Sequence, residues 1–170
     1  VRWRQRDLVN QFYLNEQELP PPDAGCGGNG VDHDVNGDGW FNVQDYTSNV
    51  GSEQPTSPCD TRILAHAGGW DVNESGMLDP GDLIAIFSDG IDDDLNGYVD
   101  DISGWDVYGD NNDPDTDTDF YHGKNTAMQA AGEGNNGIDD LGTCPQCAIL
   151  NVRIGESFIV DANDAGMGMI

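Results

Sequence analysis

Three stretches of this chain set oxygen-bearing side chains at alternate positions ahead of a glycine: DVNGDGWFNVQD at 34–45, DVNESGMLDPGD at 71–82 and DDDLNGYVD at 92–100. That spacing is the chemistry of Ca2+, which takes about six to eight hard oxygens at roughly 2.3–2.6 Å and needs a tight turn, hence the sixth-position glycine, to gather them. In the first stretch Asp34, Asn36 and Asp38 stand at positions one, three and five. Gly39 is sixth, Trp40 offers its carbonyl at seven, and Asp45 closes the loop at twelve. In the second, Asp71, Asn73, Ser75, the Met77 carbonyl, Asp79 and Asp82 fill the same roles, with Ser75 giving a neutral oxygen. The third has Asp92, Asp94, Asn96, the Tyr98 carbonyl and Asp100, but its twelfth residue is Ser103. A residue distant in sequence, or a water, must therefore finish that shell. Farther on, Asp113, Asp115, Asp117 and Asp119 alternate strictly. In an extended segment they share one face, as a fourth cation site or as a solvated loop.

Of the three histidines, His33 and His66 sit in polar text that suits a surface role, whereas His122 precedes Gly123 at the start of the small-residue stretch HGKNTAMQAAGEG. A histidine at the head of a helix on the edge of an α/β sheet is placed to act as a general base toward a nucleophile from another segment. Four cysteines complete the inventory: Cys26, Cys59, Cys144 and Cys147. In an extracellular setting, Cys26 with Cys59 and Cys144 with Cys147 are the expected disulfides. The alternatives for CPQC are a redox pair or half a zinc site, but no second C-x-x-C follows.

These groups need elements to hold them. Residues 1–19 carry Leu8, Val9, Phe12, Tyr13 and Leu14 for a core, and Pro20, Pro21 and Pro22 then stop any helix. Residues 25–82 are Gly-rich and loop-like, and read as an insertion that holds the first two loops. In DPGDLIAIF, Asp79 is an N-cap, Pro80 the first helical residue, and Leu83, Ile84, Ile86 and Phe87 the buried face. ISGWDV reads as a short strand. Ala127, Met128, Ala130 and Ala131 belong to a closely packed helix ended by Gly132 and Gly134, and AILNVRI at 148–154 suits a strand covered on both faces. A further helix starts at Asp161. Strand, helix, strand, helix argues for α/β layering over three segments, 1–24, 25–82 and 83–170.

Composition narrows the setting. The 170 residues include 32 acidic against six basic ones, for a net charge of −26. Asp outnumbers Glu by 26 to six, as turns and metal ligands require and a solvated acidic helix does not. Such a charge excludes nucleic acid as a partner. No apolar run is long enough to span a membrane. Eleven Asp and no Lys or Arg lie between Asp92 and Asp119, so bound cations are expected to relieve the repulsion there. The chain begins at Val1 without an initiator Met, which suggests a mature or truncated piece.

Two resemblances follow from these residues. Asp at the twelfth position, as at Asp45, resembles dockerin-type calcium loops. The order SDGIDDDLNGYVDDISGWDV, an acidic stretch, YHGK, a small-residue helix, NNGI and CPQCAILNVRIG resembles subtilisin-like serine peptidases over about residues 83–170, and more loosely over 1–19. The resemblance implies a partial subtilisin-like three-layer α/β fold with a parallel sheet plus a loop-rich calcium-binding insertion. It implies a secreted, Ca2+-stabilised, monomeric endopeptidase acting on protein or peptide substrates, with His122 as the triad base. Family members usually carry Thr after the His-Gly pair, where this chain has Lys124 and then Asn125. The Asp-Thr-Gly or Asp-Ser-Gly strand end and the GTSxA-type nucleophile segment are absent from the sequence. The chain alone is therefore expected to be inactive, an N-terminal-half fragment. The alternative is a non-catalytic extracellular calcium-binding adhesion or docking module.

Overall fold

Asp and Gly favour turns over repeating structure, and the regular elements are correspondingly short. The structure, a computed structural model, describes residues 1–49, 51, 54–115, 122–138, 141–156 and 162–169. In chain order they form 3-10 turns at Val9–Gln11, Ala24–Cys26 and Val43–Tyr46, then α1 (Thr61–Leu64), α2 (Pro80–Phe87), β1 (Trp105–Asp106), α3 (His122–Ala131), β2 (Val152–Arg153) and α4 (Ala162–Met167). The result is a mixed α/β structure with a two-stranded parallel sheet. The helix start expected at Asp161 and the acidic positions Asp117 and Asp119 fall outside the described residues.

Helix α2 begins where DPGD predicts. The Asp79 side chain accepts from the Gly81 N–H, the Asp82 side chain accepts from the Asp79 N–H, and Pro80 occupies the first turn, where its missing N–H costs nothing. Leu83 and Ile84 are buried from this helix. In α3 the buried side chains are Ala127 and Ala131, which let the helix approach closely, and the Gly132 N–H donates to the Met128 carbonyl at its end.

Strands β1 and β2 pair through Trp105 with Val152 and Asp106 with Arg153. Arg153 Nη1 also donates to Asp106 Oδ2 at 2.7 Å, an ion pair whose carboxylate is buried. The segment leading into β2 makes a further parallel bridge, Phe12 to Ile149, in which the Tyr13 N–H donates to the Ile149 carbonyl and the Ile149 N–H to that of Gln11. Two expectations change here. Leu150 is 58% exposed, so the strand is not covered on both faces, because successive side chains leave a strand on opposite sides and the described elements pack against one. Tyr13 is exposed for the same reason, between buried Phe12 and Leu14.

One hydrophobic cluster draws on all three segments of the chain: Trp3, Leu8, Phe12 and Leu14 from the first, Val43, Tyr46, Ile63 and Leu78 from the second, Leu83, Ile102 and Ala127 from the third. Trp3 meets Phe12 edge to face at 4.8 Å between centroids. Disulfides join Cys26 to Cys59 and Cys144 to Cys147, and among the described residues no helix is long and apolar enough to cross a membrane. The Cys26–Cys59 link spans 33 residues of sequence, so removing it frees unfolded-chain entropy worth about 3–4 kcal/mol. Cys26→Ser with Cys59→Ser is therefore expected to lower the melting temperature by about 10 °C. An unchanged melt would mean that the link does not restrict the unfolded chain.

Candidate calcium centres

Each loop must bring several carboxylates together, and each does so by turning backbone N–H groups onto them. In the first, the Asp38 and Gly39 N–H groups donate to the two oxygens of Asp34 at 3.2 and 2.9 Å, the Gly37 N–H donates to Asp34 Oδ1 at 2.8 Å, and Asn36 Oδ1 accepts from the Asp38 N–H. The Trp40 N–H donates to Asp38. The second loop repeats this: the Ser75 and Gly76 N–H groups reach Asp71, Asn73 Oδ1 accepts from the Ser75 N–H, and the Met77 N–H donates to Ser75 Oγ. In the third, the Asn96 and Gly97 N–H groups reach Asp92, Asp94 Oδ1 accepts from the Asn96 N–H, and the Tyr98 N–H donates to Asn96 Oδ1. The backbone follows suit. Position four is left-handed in all three, as Gly37 (φ 76°), Glu74 (φ 59°) and Leu95 (φ 61°), and position six is Gly39, Gly76 or Gly97 at φ 89°, 83° and 97°. Only glycine adopts that sixth conformation without strain.

The loops differ in how they close. Asp45 Oδ1 accepts from the Val35 and Asn36 N–H groups at 2.8 and 3.2 Å, and Asp45 Oδ2 from the Asn42 N–H. Asp82 Oδ1 accepts from the Val72 and Asn73 N–H groups at 2.7 and 3.2 Å, and Asp82 Oδ2 from the Asp79 N–H. Both twelfth-position carboxylates return because a helical turn starts at position nine, with Asn42 or Asp79 as its cap. The third loop has no such turn. Asp100 is left-handed (φ 56°), its carboxylate accepts from the Asp89 and Gly90 N–H groups, and Ser103 Oγ donates to the Tyr13 carbonyl.

A residue missed in sequence closes this loop. Glu18 Oε1 accepts from the Asp93 and Asp94 N–H groups, the second and third of the loop, at 2.9 and 3.2 Å. One ligand oxygen each of Glu18, Asp94 and Asp101 lie within 4.8 Å of one another, and among the described residues no other three carboxylates, histidines or cysteines converge so closely. Asn15 Nδ2 donates to both Asp94 and Asp101, and Asn96 Nδ2 to the same pair. The signal available in sequence was negative: a loop without a carboxylate at position twelve must borrow one.

Comparison with protein-family models, curated proteins and solved structures found no match. Donor type fits a hard cation, since every candidate ligand is a carboxylate, amide, hydroxyl or carbonyl oxygen. His122 lies apart from the loops, exposed at the opening of α3, with Thr126 Oγ1 donating to its carbonyl. His33 contacts the Leu19 carbonyl and the Phe41 ring, and His66 the Gly69 carbonyl.

Burial pushes the Asp82 carboxyl up to about 7, with the Asp79 charge adding to it. Burial also raises Asp45, Asp79, Asp101 and Glu18. A carboxyl raised on folding costs nothing below its unfolded value of 3.8 and its full cost above about 7, so calcium-free protein loses stability as pH climbs between those limits. Calcium prefers the ionised carboxylates and opposes that trend. Melting temperatures in EDTA should fall from about pH 4.5 to about 7.5, rise again with millimolar Ca2+ at the upper end, and become flatter in EDTA for Asp82→Asn. A melt in EDTA that rises with pH would contradict the assignment of Asp82.

Proposed function

We propose that this chain is a calcium-stabilised part of an extracellular subtilisin-like serine peptidase, in which the loops bind Ca2+ and His122 serves as general base. The calcium assignment is carried by one observation. Two loops 37 residues apart in numbering (71 − 34) fold their carboxylates onto backbone N–H groups at the same relative positions, including the return of position twelve to positions two and three. In the first, Asp34, Asn36, Asp38, the Trp40 carbonyl and Asp45 would hold the ion; in the second, Asp71, Asn73, Ser75, the Met77 carbonyl and Asp82. Calcium supplies charge neutralisation and cross-linking there, not a chemical step. Two disulfides and the lack, among the described residues, of a long apolar helix are compatible with an extracellular setting.

The order β1, α3, β2 with parallel pairing supports the peptidase over a purely adhesive module, because it is a β-α-β crossover with His122 at the head of its helix. In such units the helix begins beyond the carboxyl end of the first strand, the edge where α/β sheets place their chemistry. There the imidazole would take the proton of a serine hydroxyl and return it to the leaving amine. The serine, its oxyanion-hole donors and the aspartate that orients the base would come from other parts of a longer polypeptide.

Two measurements separate the parts. Titration calorimetry with CaCl2 should give binding that Asp34→Ala weakens by roughly 10-fold or more. Absence of heat at millimolar calcium would end the metal assignment. In a polypeptide that also carries the serine, His122→Ala should lower kcat/KM by about 10^6-fold, and undiminished hydrolysis would exclude His122 as the base.

A further inference from the structure

Glu18 stands outside all three loop sequences, yet its contacts are those of a twelfth-position ligand. Its Oε1 receives the N–H groups of positions two and three at 2.9 and 3.2 Å, against 2.8 and 3.2 Å for Asp45 and 2.7 and 3.2 Å for Asp82. The other oxygen differs. In Asp45 and Asp82 it accepts from the position-nine N–H, whereas Glu18 Oε2 is buried without a hydrogen-bond partner on a residue only 6% exposed. A buried carboxylate oxygen left unmatched costs about 1–3 kcal/mol or more, so a fold that keeps one is holding it for something. The group it converges with, Asp94 and Asp101, is itself anionic, and Asp92 is anchored by the Gly97 N–H one turn away. Asn15 and Asn96 amides already serve Asp94 and Asp101, so Glu18 Oε2 is the oxygen of this set left for a cation.

We infer that Glu18 completes a third calcium site with Asp92, Asp94, Asn96 and the Tyr98 carbonyl, and that this ion ties together the chain on either side of residues 25–82. The inference rests on the calcium part of the preceding proposal. Asp101 joins as a further carboxylate, while Asp100 remains on the Asp89 and Gly90 N–H groups and Ser103 on the Tyr13 carbonyl. Two carboxylates, one amide, one carbonyl and a Glu able to bind through both oxygens reach the about six oxygens that Ca2+ needs. A long Glu suits the part better than Asp, because it approaches from a separate segment and must bridge the gap. That segment is fixed on both sides of the contact: the Asn15 N–H donates to the Ile102 carbonyl, and Leu14 and Leu19 are in the core.

The test uses the whole chain, stripped with EDTA and titrated with CaCl2 in a calorimeter, and with Tb3+ followed by aromatic-sensitised emission. Tyr98, whose carbonyl is a ligand, lies 5.1 Å from the Trp105 ring centre, which makes the third site addressable by light. Three ions are expected for the unaltered chain. Glu18→Gln should bind two, with the remaining affinities unchanged; because Trp40 and Trp70 adjoin the first two loops, the emission is read in the Asp45→Asn, Asp82→Asn background, where adding Glu18→Gln should abolish the Tb3+ signal. Should Glu18→Gln not fold, Glu18→Asp, which keeps the charge and shortens the reach, should weaken one site by roughly 10–100-fold and leave the others alone. Unaltered stoichiometry and affinity in either variant would overturn the assignment of Glu18 while leaving the other two sites standing. A parent chain that binds no calcium would overturn the calcium proposal itself.

Discussion

A net charge of −26 has to be folded against itself, and the structure answers with backbone N–H groups aimed at carboxylates. Asp34, Asp45, Asp71, Asp82, Asp92 and Asp100 each hold two or more of them. Hydrogen bonds to charged groups are worth about 1.5–3 kcal/mol, more than neutral ones, and they spread the charge over the peptide dipoles. The same bonds fix the carboxylate directions before any ion arrives. Turns thus do in this chain what helices and sheets do in most, and among the described residues only α2 and α3 exceed six residues.

That economy has a cost at closure. Where a helical turn follows, as at Val43–Tyr46 and α2, the twelfth carboxylate both completes the capping box with the position-nine cap and closes the loop, so one side chain serves local structure and candidate ligand set together. Where none follows, the chain needs the main core for the purpose. Glu18 leaves a segment anchored by Leu14 and Leu19, and Asn15 between them binds two carboxylates of the same loop. The third loop is thereby coupled to the folding of the whole domain, whereas the first two are closed by residues within their own twelve.

Much of this was legible as text. Alternation of oxygen-bearing side chains before glycine marks all three loops because each position has its own local hydrogen bond, and DPGD marks α2 because capping is a contact between near neighbours. The cysteine partners were legible too, since four cysteines allow three pairings and Cys144 and Cys147 stand three residues apart. What sequence did not yield is long-range or one-sided. Glu18 meets its loop across 75 residues. Leu150 and Tyr13 are apolar yet turn outward, because alternation along a strand assigns a face only when it is known which face is covered. Nothing in the residues around His122 fixes its partners locally, and its role is argued from topology.

The loop hydrogen bonds also bear on how this protein ages. Asn36 precedes Gly37 and Asn96 precedes Gly97, and Asn-Gly is the pair in which an unhindered backbone nitrogen most readily attacks the preceding amide to form a succinimide. Here the Gly37 N–H is bound to Asp34 and the Gly97 N–H to Asp92. Each nitrogen is held on a carboxylate and kept from the amide carbon it would attack. The turns that gather the acidic groups therefore guard two of their own candidate ligands against slow deamidation. A loop that stays open long enough to lose that hold would exchange a neutral amide for an isomerised acid, a change that refolding does not undo.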